Sequence, residues 1–306
     1  MTQGPGASLI PQRNLTLSEI LSGSFNCLRR MPKTLLGIGL FSGFFIGISN
    51  ILTSALVVKN GESLILPEIP NPASVITQEQ IEELVNALAP TLKVGLITSL
   101  ALFFVQAISA GMFIHIVSNG ISGVKISVTE SWEKTRPQLG RIVGLSVVSF
   151  LLPTISIVIG LLIGVALSGI SSLLVFVGLG IGLGAAIYLW IGLQVSIPAL
   201  VLEETKLKIA LKRSFFLVKG NFFRVLGIGL MGVITSQALS IVVSTPFTIL
   251  GAVGATEDPT TSAIFMSSMG SIIGYAFMLP FIAAFTTLLY TDLKFRKENI
   301  VTDLAK

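Results

Sequence analysis

Few side chains of this sequence could do chemistry away from water. His115 is the only histidine and lies in an uncharged run, 94–124, with Ser109 and Ser118 on neighbouring helical turns. A Ser–His hydrolase needs a nucleophile and an oxyanion hole brought to the imidazole, and a zinc site needs three or four ligands. With one histidine and one cysteine, neither is expected, and no metal or other cofactor is implied. Cys27 stands alone, so it forms no intrachain disulfide. Gly178, Gly180, Gly182 and Gly184 have the spacing of a phosphate loop, but no strand precedes them and no lysine follows. They are better spaced for close helix approach, as are Gly39, Gly43 and Gly47. Gln106 and Gln237 fall near the middle of apolar runs, and Gln194 and Asn50 nearer their ends. Amides there either bond between helices or line a polar path. With His115 they are the candidate intramembrane polar residues.

The elements that hold these residues follow from composition. Of 306 residues 52% are hydrophobic and 11% charged, and mean hydropathy is +0.88. A soluble domain of this size needs more surface charge. Five runs, 34–58, 94–124, 142–202, 225–256 and 259–291, lack Asp, Glu, Lys and Arg altogether. About 20 apolar residues cross a bilayer core. The run 142–202 is long enough for two crossings and is basic at both ends, so it is expected to turn at Ser168–Ser171. The expected fold is all-α, an integral membrane six-helix bundle with spans at about 34–58, 94–118, 142–168, 171–201, 225–250 and 263–290. Residues 1–14 are expected to be a disordered N-terminus, 15–295 a single membrane domain and 296–306 a cytoplasmic tail. The first apolar run starts late and is too long for a cleaved leader, so it is expected to stay as the first span.

Positive charge sets the orientation. Of the 20 Lys and Arg, only Lys59 and Lys93 fall on the inferred outer side, and both termini are expected inside the cell. This bias also accounts for the net charge of +5, so no nucleic-acid partner is implied. The outer loop 59–93 carries five Glu and a helical pattern at 78–89.

Each outgoing span is preceded by an amphipathic segment. In 16–30, Leu17, Ile20, Leu21, Phe25 and Leu28 follow helical spacing, with Thr16 and Glu19 as a capping box. Ser127 and Glu130 repeat that box ahead of Val128, Trp132 and Leu139. In 205–219, Thr205 can cap and Leu207, Leu211, Phe215 and Val218 make the stripe. A shift of 190 residues superposes Leu17, Leu21, Ser24 and Phe25 on Leu207, Leu211, Ser214 and Phe215, and the middle copy fits with about one turn deleted. Three units of surface helix, outgoing span and returning span are expected. The three surface helices should lie in the headgroup plane. Lys208, Lys212, Arg213 and Lys219, with Arg29 and Arg30, are then the candidate contacts to anionic lipid headgroups. Spans three to six each carry one proline, at Pro153, Pro198, Pro246 and Pro280.

"TLSEILSGSFNCLRRMPKTLLG" and "ALKRSFFLVKGNFFRVLGIGL" resemble bacterial, notably actinobacterial, proteins described as the glycerophosphoryl diester phosphodiesterase membrane domain. Ala210, Arg213, Ser214, Lys219, Gly220, Asn221 and Phe222 carry that pattern. The resemblance spans most of 15–295 and implies a membrane module. In that family the phosphodiesterase is a separate barrel using a histidine pair, carboxylates and a divalent metal, which this chain lacks. The expected role is that of a non-enzymatic multi-pass protein of the bacterial plasma membrane, a scaffold or accessory subunit. Its partners would be membrane lipids and other membrane subunits. The alternative is an uncoupled transporter or lipid-translocating permease.

Overall fold

A computed structural model describes residues 14–61, 78–253 and 259–304. Among them the chain is all-α. Six helical stretches are long and apolar enough to cross a membrane: Pro32–Ala55, Lys93–Ile121, Val128–Ala166, Leu173–Leu202, Phe222–Val253 and Thr261–Glu298. The protein is a multi-pass helical membrane protein. The expected disorder at 1–14 lies almost wholly outside the described residues.

In chain order the helices are α1 (Leu17–Arg30), α2 (Pro32–Gly61), α3 (Gln78–Ile121), α4 (Val128–Thr135), α5 (Leu139–Ala166), α6 (Leu173–Leu193), α7 (Ser196–Leu202), α8 (Leu207–Val218), α9 (Phe222–Val253) and α10 (Pro259–Leu304). A turn of 3-10 helix, Arg136–Gln138, joins α4 to α5. The helical pattern at 78–89 is the start of α3, and α10 runs unbroken from the sixth span to Leu304, inside the segment read as a tail. The α5–α6 turn lies at 167–172. Pro198 breaks the fourth span instead of bending it: a proline ring clashes with the carbonyl four residues earlier, here Gln194, and α6 stops at Leu193.

The chain forms two compact units, described separately. One comprises Gly39–Gln106 and Leu239–Phe277. In it α2 and α10 meet through glycines. A Cβ on Gly39 would meet the Ala276 carbonyl, and one on Gly43 the Ile272 carbonyl. The other unit comprises Met1–Ile38, Ala107–Ala238 and Met278–Lys306 and holds the three surface helices. There α5 and α6 pack as tightly, because a Cβ on Gly178 would run into the Gly160 carbonyl and Gly164.

Both predicted capping boxes form, at Thr16/Glu19 and Ser127/Glu130. The third helix differs: its cap is Lys206, with no side-chain bond, and Thr205 does not cap. The buried faces also differ from the expected stripes. From each N-cap, positions four, eight and eleven onward are buried: Ile20, Ser24 and Cys27; Ser131, Thr135 and Gln138; Ala210, Ser214 and Leu217. This seam is mostly small or hydroxylic because it lies against another helix. Ser131 Oγ donates to the Met112 carbonyl of α3 (2.8 Å), and Ser214 Oγ to the Gly192 carbonyl of α6 (2.6 Å). On α1, Phe25 packs on Phe281 of α10, centroids 4.9 Å apart. The larger predicted residues Phe25, Val128 and Trp132 are 36–42% exposed.

Arginines tie the segments that precede two of these helices. Arg141 of α5 donates to the carbonyls of Glu204 and Thr205, and Arg224 of α9 to that of Leu15. At the third such place Leu35 of α2 shares an apolar cluster with Ile126. Arg141 lies 14 residues from its N-cap and Arg224 lies 18, so the deleted turn of the middle copy falls between seam and span.

Cys27 is 1% exposed, and burial pushes its thiol up to about 11, against the pull of the Arg30 charge. A water-soluble maleimide at pH 8 should therefore label folded protein at least about 100-fold more slowly than unfolded protein. Rapid labelling of the folded form would show that α1 does not dock through this face.

Candidate functional site

The basic cluster divides in two. Lys208, Lys212 and Lys219 are exposed, as are Arg29 and Arg30 at the end of α1. Ile209 and Phe216 beside them on α8 are 52% and 47% exposed. This outward surface combines ammonium groups with large apolar side chains, the composition of an interfacial helix. Arg213 faces inward instead. Its Nε donates to Glu203 (2.9 Å) and its Nη2 to Glu298 (2.7 Å). Burial opposes its charge, but those hydrogen bonds outweigh it and hold the guanidinium above its ordinary value. Tyr290 donates to the same Glu203 at 2.5 Å. The sequence alone does not separate Arg213 from its neighbours, because the acids that engage it lie 10 and 85 residues away.

A second ionic group centres on Asp292, 1% exposed. Its carboxylate accepts from Leu15 N–H (2.7 Å), Arg224 Nη1 (2.6 Å) and Arg296 Nε (3.0 Å). Both arginines also donate to the Leu15 carbonyl, at 2.7 and 3.1 Å. Sequence reasoning misses this clasp because Asp292 reads as the first solvated residue after an uncharged run. Its i+4 spacing to Arg296 is the available signal.

The turn Lys219–Gly220–Asn221–Phe222 has a local physical cause. Gly220 has φ +86°, which favours glycine. The reversal lets Phe222 stack on Tyr188, centroids 5.6 Å apart. Tyr188, Gly192, Phe215, Phe216, Lys219 and Phe222 line a cavity of about 490 Å³.

The intramembrane polar candidates are divided between the two units. Gln106 belongs to the unit of Gly39–Gln106 and is exposed there; Gln237, in the other unit, is exposed too. Gln194 lies against α9, where a Cβ on Gly229 would strike its amide. His115 is 7% exposed and lines a cavity of about 400 Å³ with Lys134, Pro137, Gln138, Arg141 and Glu204. Gln237 does not line it.

Residues 170–304 match the family model described as the membrane domain of glycerophosphoryl diester phosphodiesterase. The matched stretch includes Ala210–Phe222, and the first of the two stretches carrying the resemblance lies outside it. No curated protein matches the chain. No solved structure matches it.

Proposed function

We propose, from the match of residues 170–304 to a phosphodiesterase membrane domain, that this chain is a non-enzymatic membrane module. It acts as a scaffold or accessory subunit whose surface helices hold anionic lipid headgroups. The observation that carries the reading is the outward face of α8, where exposed Lys208 and Lys212 flank exposed Ile209 and Lys219 follows exposed Phe216. An ammonium group near an anionic surface contributes about 1 kcal/mol, and the apolar neighbours hold the helix at the headgroup depth. The distribution of Lys and Arg supports both termini in the cytoplasm, and the family resemblance supports a bacterial plasma membrane.

The test is the protein's own lipid preference. Trp132 and Trp190 are each 38% exposed, so brominated lipids can quench them. Wild-type protein should prefer brominated phosphatidylglycerol to brominated phosphatidylcholine. With Lys208, Lys212 and Lys219 all changed to Glu, that preference should fall at least about tenfold. An unchanged preference would refute the reading.

A further inference from the structure

The cavity at His115 has features that the basic outer surface lacks. His115 and Gln138, 7% and 4% exposed, both line it. His115 Nε2 and Gln138 Oε1 have no hydrogen-bond partner among the described residues. A buried polar atom without a partner is costly, so two in one cavity point to a ligand that supplies partners. Lys134 and Arg141 line the same space against one carboxylate, Glu204. Two cations face one acid, so the cavity favours an anion. Arg141 is held in place by the carbonyls of Glu204 and Thr205, at 3.1 and 3.2 Å. Both bonds leave from Nη1, one of its three nitrogens, and a guanidinium has five N–H donors. Glu204 has φ +49°, unusual outside glycine, and its carbonyl is one of the two that Arg141 grips.

We propose that this cavity is a phosphate site. Arg141, Lys134, the imidazole N–H of His115 and the amide of Gln138 would donate to the phosphate oxygens. The amide can present its nitrogen by rotation, since its two ends are not distinguished by shape. Glu204 then accepts from a hydroxyl or ammonium group attached to the phosphate. The volume of about 400 Å³ lies in the range of small-molecule sites, roughly 300–1,000 Å³. The chemistry is that of a substituted phosphate, whether a lipid headgroup or a soluble phosphate ester. The proposal rests on the reading above only for the lipid source.

The test uses full-length protein in an uncharged detergent, with thermal unfolding followed against added inorganic phosphate, glycerol 1-phosphate or dioctanoylphosphatidylglycerol. At least one should raise the unfolding midpoint saturably. Lys134→Ala, at an exposed position, and Gln138→Leu should each weaken the apparent Kd about tenfold or more. Lys125→Ala, also at an exposed position and outside the cavity lining, should leave it unchanged. Stabilisation by soluble phosphates at the strength of the lipid would identify a free phosphate as ligand. Stabilisation by the lipid alone would identify a headgroup. The proposal is overturned if no probe stabilises, or if both cavity variants respond like wild type. If the cavity variants respond like wild type while the triple Lys→Glu variant loses its lipid preference, the phosphate site fails and the surface-helix reading stands. If the cavity variants lose the stabilisation while the triple variant keeps its lipid preference, the phosphate site stands and the surface-helix reading fails.

Discussion

Asp292→Ala should destabilise the protein by about 3–5 kcal/mol, the range for removing one partner of a buried ion pair. The carboxylate is fully buried, whereas the Arg224 and Arg296 side chains are 26% and 23% exposed. Without it Arg224 and Arg296 lose the carboxylate they share and Leu15 loses the acceptor of its N–H. The first part to loosen should be α1, because Leu15 ties its start to α9 and α10. Cys27 reports this directly: its labelling rate in the variant should rise at temperatures well below global unfolding. Asp292→Asn keeps the shape and one acceptor and should cost roughly half as much. A thermal midpoint for Asp292→Ala equal to that of wild type would show that the clasp is ornamental.

Gly178→Leu should destabilise by about 3 kcal/mol, the upper part of the overpacking range. The reason is that the obstruction is backbone: the new Cβ meets the Gly160 carbonyl and lies 2.6 Å from Gly164 Cα. No side chain can rotate away, so α5 and α6 must separate. In a lipid-facing pair the contact itself is the driving force, because lipid tails satisfy apolar side chains as well as a neighbouring helix does. Gly180→Leu, two residues on, is the control. Nothing lies within 4 Å of a Cβ there, and loss of a helical glycine favours the helix by up to about 1 kcal/mol. Both variants can be followed by the exposure of Cys27 on heating. If the two behave alike, the glycines are not the contact that holds this hairpin.

These variants separate what each kind of information reaches. The spacing of Gly178, Gly180, Gly182 and Gly184 leads to the expectation of close approach for all four, whereas only Gly178 and Gly182 make it and nothing lies near a Cβ on Gly180 or Gly184. The two capping boxes are legible because a cap is a bond between residues three apart. Thr205 is misread as a cap because cap chemistry does not reveal which residue's backbone turns into the helix; that residue is Lys206. The amphipathic stripes are legible as stripes, yet of their residues on α1 and α8 only Ile20 and Val218 are buried, and the seam is completed by residues outside them. Ser24, Thr135 and Ser214 are each fully buried, and a hydropathy pattern counts a serine as polar whether its hydroxyl meets water or a carbonyl.

The sequence by itself determined the all-α class and the six apolar spans, because crossing hydrocarbon demands about 20 uncharged residues in a row and internally bonded backbone. Those are conditions on neighbours in the chain. Only the tertiary structure decided which charges are engaged within the protein and which face outward. Arg213 and Lys212 are adjacent in sequence, yet one is bound to Glu203 and Glu298 and the other is exposed. Likewise His115, Lys134, Gln138, Arg141 and Glu204 share a cavity although 89 positions separate the first from the last. Ion pairs and cavities depend on distances of a few ångströms between segments remote in the chain, and a helical period carries no term for those.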